Sequence, residues 1–151
     1  MRLRHARRAA PLALILLAGC HHHGRRPYAD AAWVRLAAVS GNPAAAYFTL
    51  YGGRSPGRLI AIDSPAAGSS ELHRSMTAGD MASMRRVDGV DVPAGGVVAF
   101  APGGYHVMLF GVGAHVKAGG TMPLVARFAG GDPVTMTARV VGAGDPPPYG
   151  P

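Results

Sequence analysis

From residue 31 onward the chain alternates short apolar runs with clusters of Gly, Pro, Asn and Ser. The runs are AAWVRLA (31–37), AAYFTLYG (45–52), RLIAIDS (58–64), SELHRS (70–75), MASMRRV (81–87), GVVAFA (96–101), YHVMLFG (105–111), MPLVARFA (122–129) and VTMTARVV (134–141). The run VTMTARV (134–140) changes between apolar and polar at every step, the period of a strand with one buried face. The breakers between them include SGNP, GGRSPG, SPAAG, VPAGG, APGGYH, KAGGT and GGDP. Short strands at a spacing of about 8–12 residues, with turn signals between them, predict an all-β antiparallel sandwich or barrel. No window carries a helical apolar stripe. AAVSGNPAAA is Ala-rich, but Gly41 and Pro43 break it.

The first residues follow a different rule. MRLRHARRAAPLALILLAGC opens with arginines, continues as an apolar run, and ends on Leu17-Ala18-Gly19-Cys20. A charged start followed by a short apolar stretch is the layout of a secretory signal, too short to span a bilayer as a mature helix. The ending resembles the bacterial lipobox, which implies cleavage before Cys20 and lipidation of that residue. The expected layout is a signal peptide over 1–19, a lipidated Cys20 and tether over 20–30, one folded domain over 31–141, and a flexible Gly/Pro tail over 142–151. Membrane attachment is then through lipid, outside the cytoplasm in the periplasm. His21 after the Cys slightly favours the outer membrane. The run His21-His22-His23 is a candidate for loose metal binding in the tether.

This layout changes the reading of charge. The chain has 15 Lys and Arg against 8 Asp and Glu, a formal +7. Removal of 1–19 takes away Arg2, Arg4, Arg7 and Arg8, four of those 15, so 11 remain against 8 and the excess is +3. The basic balance belongs largely to the targeting segment and gives no argument for nucleic-acid binding. Cysteine usage matters more. The chain holds one Cys, so once Cys20 is lipidated the domain has no thiol for a disulfide or a thiolate metal site. A soft metal would need other ligands.

The soft ligands sit in a fixed pattern: His73, ten residues, Met84, twenty-one residues, His106, one residue, Met108. His-X10-Met-X21-His-X-Met resembles the motif of the PCuAC family of periplasmic copper chaperones. Flanking segments resemble that family too: PAAGSSELHRSM before the first His, VPAGGVVAFAPGGYHVML around the second, AAAYFTLYG early and GGTMPLVARF late. The resemblance covers roughly residues 30–141. It implies a cupredoxin-like Greek-key β-sandwich or barrel and a Cu(I) site made by His73, Met84, His106 and Met108. It further implies transfer of Cu(I) toward the copper centres of cytochrome oxidase, with a Sco-type protein or an oxidase subunit as acceptor. Copper buffering or tolerance without a dedicated oxidase target is the alternative, and a monomer is expected.

The residue chemistry agrees with this motif. His106 and Met108 are i and i+2, so on a strand they share a face, while Tyr105, Val107 and Leu109 point to the core. His73 and Met84 flank a turn near TAGD (77–80), and a hairpin there would bring them together against the His106 strand. Thioethers favour Cu(I), imidazole suits several borderline ions, and neither needs a carboxylate. Thioether has no acidic proton, so it binds without competition from protonation. Taken singly, Met108 in VMLF reads as core filler and each His as a satisfied strand histidine; the four together reverse that reading. Met76 and Met81 are candidate auxiliary ligands. His115 reads as a surface residue, and Met122 and Met136 as core.

Other chemistries fit less well. A blue-copper electron carrier needs a Cys ligand. No Ser/His/Asp or paired-carboxylate arrangement stands out, and Asp63, Asp88 and Asp91 do not lie at ligand spacing, so no enzyme activity is expected.

Overall fold

The computed structural model describes residues 26–78 and 81–149. The expected signal segment over 1–19, Cys20 and His21–His23 lie outside the described residues. The described residues form ten strands and no helix: β1 (Tyr28–Arg35), β2 (Ala44–Tyr51), β3 (Gly57–Asp63), β4 (Ser69–Ala78), β5 (Met81–Arg86), β6 (Val90–Val92), β7 (Val97–Phe100), β8 (Tyr105–Phe110), β9 (Thr121–Phe128) and β10 (Val134–Val141). Nine coincide with the nine apolar runs. The tenth, β6, is three residues long and lies between Gly89 and Pro93, too short to show a period.

The strands form one mixed sheet in the order β5-β4-β8-β7-β2-β1-β10-β9-β3-β6, with β8 also pairing β2. Neighbours are antiparallel except β1 with β10 and β7 with β8. The sheet curls, so that Ser70 at the start of β4 donates a hydrogen bond to the carbonyl of Ile62 on β3. Curling encloses the apolar faces. In β2 every second residue is buried, Ala44, Ala46, Phe48 and Leu50. In β9 it is Met122, Leu124 and Ala126; in β10 it is Met136, Ala138 and Val140. Complete burial of a Leu or Phe side chain contributes roughly 1.5–3 kcal/mol, so these strands supply much of the cohesion.

β8 obeys the same rule and thereby sets the site. Val107 and Leu109 are fully buried in the core. His106 and Met108 must then point to the opposite face of the sheet. The turn before β8 follows from its sequence. Pro102 and Gly103 occupy the two central positions, Gly103 has φ +82°, and Gly104 N donates to Ala101 O at 3.0 Å. Pro followed by a positive-φ Gly is the type II pattern.

The segment 142–149 lies on the sheet. Arg35 donates to the carbonyl of Ala143 at 3.4 Å, the Arg139 guanidinium lies over the ring of Tyr149 at 5.4 Å, and Pro146 and Pro147 help line a groove with Trp33 and Phe100.

Candidate metal centre

The site face is built by four strands. β4 pairs with β8 so that His73 lies directly opposite His106 and Glu71 opposite Met108. Directly opposed residues share a face, so all four project to the same side. β5 pairs with β4 so that Met84 lies opposite Ser75 and Arg86 opposite His73. Ser75 is i+2 from His73, which puts Met84 on that face as well. β2 contributes Tyr47, its ring 6.4 Å from His106 and tilted by 30° against Trp33 at 4.4 Å.

His73 and His106 have ring centroids 5.8 Å apart, inclined at 44°. Met84 Sδ approaches to 3.1 Å from His106 Nε2. This contact spans from β5 to β8 across β4, a reach that suits the long, unbranched thioether. His106 is buried, whereas Met84 is 54% exposed. Met108 is partly buried on the same face. The expected hairpin therefore forms, and it lies along the His106 strand. His73, Met84 and His106 come into one cluster, with Met108 on the same face.

Met76 and Met81 are placed differently. Met76 is three residues from His73, so it projects to the other side of β4, opposite Ser83. Met81 pairs with Ala78, which shares the parity of Met76. Both methionines are exposed and stand on the face away from the cluster. His115 is exposed and remote from it, while Met122 and Met136 are core residues.

Hydrogen bonding assigns the imidazole protons. His106 Nδ1 lies 3.1 Å from the carbonyl of Gly104. A carbonyl only accepts, so Nδ1 carries the proton, and in the neutral ring Nε2 keeps its lone pair. The 3.1 Å contact to Met84 is then an approach of two electron-pair donors, which a cation between them would turn from repulsive to favourable. On His73, Nε2 lies 2.9 Å from Glu71 Oε2, and Nδ1 is buried without a hydrogen-bond partner among the described residues. A buried, unpartnered polar atom is costly, and an ion is one way to satisfy it. No group of three or more His, Cys, Asp or Glu gathers around a common point among the described residues. An ion here would depend on the thioethers.

Glu71 was not among the residues singled out from the sequence. Its signal was available: it is i−2 from His73 and therefore on the same strand face. Its other oxygen, Oε1, accepts from Arg86 Nη1 at 3.3 Å. The hydrogen bond from His73, with the charge of Arg86 second to desolvation in the opposite sense, holds the Glu71 carboxyl below its usual 4.5. Burial pushes the Tyr47 hydroxyl above 10.0, against the nearby charge of Arg35, so Tyr47 adds an uncharged wall.

The depressed Glu71 value has a consequence for stability. The native state binds fewer protons than the unfolded chain in this range, so the contribution is present above the usual carboxylate value and lost as pH falls through the native one. Denaturant titrations of the apo protein from about pH 5 to about pH 3 should show a shallower decline for Glu71→Gln than for the parent. Parallel declines would contradict this role.

Comparison with known proteins gives the family and the fold. Residues 28–140 match the LpqE-like family model, described as "Putative lipoprotein LpqE-like". A protein of Leifsonia xyli subsp. xyli, "Putative lipoprotein Lxx21020", is 34% identical over 111 residues, covering 72% of this chain and 66% of that protein. The match thus spans just under two thirds of the length of this relative. Among solved structures, the chain resembles the Cu(I) form of DR1885 from Deinococcus radiodurans, with 28% identity, a TM-score of 0.60, and coverage of 82% of this chain and 83% of that one. It also resembles the copper-bound PCuAC domain of PmoF2, with 24% identity, a TM-score of 0.61, and coverage of 76% and 91%. At that identity the second likeness is one of fold. The all-β architecture is that of the PCuAC domain.

Proposed function

Because the chain belongs to the LpqE-like family, we propose that it is a lipid-anchored copper(I) carrier that works outside the cytoplasm. Cys20 is the lipidated residue after removal of 1–19, residues 20–30 are the tether, and 31–141 form the carrier domain. Cu(I) is the cargo, held by His73, Met84, His106 and Met108. The observation that carries this reading is the 3.1 Å approach of Met84 Sδ to His106 Nε2 beside the orphaned His73 Nδ1. Electron-pair donors gathered without an internal proton to share are the arrangement a soft cation satisfies. The copper-bound forms of DR1885 and of the PmoF2 PCuAC domain support it.

The donor set also suits release. It is neutral and includes no thiolate, so the ion is held by bonds that exchange readily. Met84 is exposed and lies on β5, at one end of the strand order, where an acceptor can present its own ligand as the thioether leaves. His106, buried against Tyr47 and held by Gly104, stays with the protein until last. Delivery to a cytochrome oxidase copper centre, directly or through a Sco-type protein, is the destination we propose. Buffering of copper uses the same site and differs only in lacking that acceptor.

Competition with a chromophoric Cu(I) chelator under reducing conditions tests the assignment. The parent should bind one Cu(I) per chain and prefer it to Zn(II) by a wide margin. The double variant His73→Ala/Met108→Ala should lose that binding. Retention by the double variant overturns the ligand set, and tight Zn(II) binding with indifference to Cu(I) overturns the carrier reading.

A further inference from the structure

The two imidazoles of the cluster are oriented by different devices, and neither device is a residue of the His/Met motif. The ring of His106 is held by a backbone carbonyl, that of Gly104 in the Pro-Gly turn. The ring of His73 is held by a side chain, Glu71, at 2.9 Å. Glu71 is itself fixed. Oε2 receives His73, Oε1 receives Arg86, and Arg86 is the cross-strand partner of His73 on β5. Both carboxylate oxygens are thus occupied by neighbours on the hairpin. No third acid or imidazole joins His73 and His106 around a common point among the described residues, so Glu71 stands behind His73 and outside the ring of donors.

We propose that Glu71 is the positioning residue of the site: it takes the Nε2 hydrogen bond of His73 and so makes the buried Nδ1 its metal-binding nitrogen. This rests on the reading of His73 as a ligand. The two histidines then bind through different atoms, His106 through Nε2 and His73 through Nδ1. A charged acceptor on the distal nitrogen fixes the tautomer and raises the basicity of the ligating one. The rest of the donor set is neutral, so Glu71 is the site's source of negative charge, and Arg86 balances it from the far side. A plain surface ion pair between Glu71 and His73 would leave both the tautomer and the affinity insensitive to Glu71.

The test uses the domain with its tether, in the parent, Glu71→Ala and Glu71→Gln forms. Long-range proton–nitrogen NMR of the apo proteins reads the tautomer of each histidine, and chelator competition reads Cu(I) affinity. The parent should show the Nε2–H tautomer at His73 and the Nδ1–H tautomer at His106. Glu71→Ala should give a mixture at His73 and lower the affinity by roughly 10–100-fold. Glu71→Gln, whose amide oxygen still accepts from Nε2, should keep the tautomer and stay within a few-fold of the parent in affinity. His106, held by Gly104, should be unchanged throughout and reports that the sheet is intact. An Nδ1–H tautomer at His73 in the parent overturns the assignment. So does a Glu71→Ala protein that matches the parent in tautomer and affinity while both bind Cu(I). A parent that takes up no Cu(I) contradicts the ligand set instead.

Discussion

Replacing His106 with alanine lowers Cu(I) affinity by more than about 100-fold, the largest single effect expected at the site. Loss of an outer partner of a metal ligand costs about 10–100-fold, and in the proposed site His106 is a ligand on which others lean. Met84 reaches it at 3.1 Å, the His73 ring faces it at 5.8 Å, and the Tyr47 ring lies 6.4 Å away. Without the imidazole, Met84 has no fixed partner and His73 is left with two thioethers. His115→Ala is the matching control, since His115 is exposed and outside the cluster. Chelator competition on both variants, with circular dichroism to confirm the β-sheet, reads the difference. Equal affinities for the two would mean that the cluster is not the copper site.

Leu109→Ala should cost about 2–5 kcal/mol of stability, the usual range for removing a buried Leu side chain. Leu109 is 0% exposed. Its strand neighbours are Ser70 on β4 and Ala44 on β2, so a cavity there loosens the strand that presents His106 and Met108. A domain has only about 5–15 kcal/mol in total, and the midpoint of thermal unfolding should fall on the order of 10 °C. The protein that remains folded should still bind Cu(I) normally. Met108→Ala, one residue earlier, should show the reverse: a smaller loss of stability and a large loss of affinity. Urea denaturation beside chelator competition separates the two. A Leu109→Ala cost below about 1 kcal/mol would mean that β8 does not bury the face assigned to it.

The division of β8 into a core face and an opposite face that carries His106 and Met108 was legible in YHVMLF, because a strand's period is two and Val107 and Leu109 are the residues a core accepts. The same arithmetic places Met76 and Met81 only once the extent of β4 is known. Their position depends on β4 running through Ala78, whereas the apolar pattern of SELHRS ends at Ser75. A strand continued by Met76, Thr77 and Ala78 rests on its pairing with β5, which no local pattern reveals. The face on which Glu71 stands was legible by the same rule, but its role was hidden for another reason. A carboxylate beside a soft donor set looks like solvent-facing punctuation until its acceptor role toward His73 is visible. β6 was invisible because three residues between Gly and Pro carry no periodicity. The packing of 142–149 depends on Arg35, 108 residues from its partner Ala143, and on Arg139, ten residues from its partner Tyr149, and the composition of GAGDPPPYGP gives no hint of either contact.

The central claim is that the ion is held by both imidazoles and both thioethers. X-ray absorption at the copper edge on the Cu(I)-loaded chain, tether included, tests it directly. The account predicts a first shell of two imidazole nitrogens and two sulfurs, with sulfur scattering reduced in Met84→Ala and again in Met108→Ala. A shell of nitrogen and oxygen without sulfur, or one with three or more imidazoles from the His21–His23 run, would contradict it.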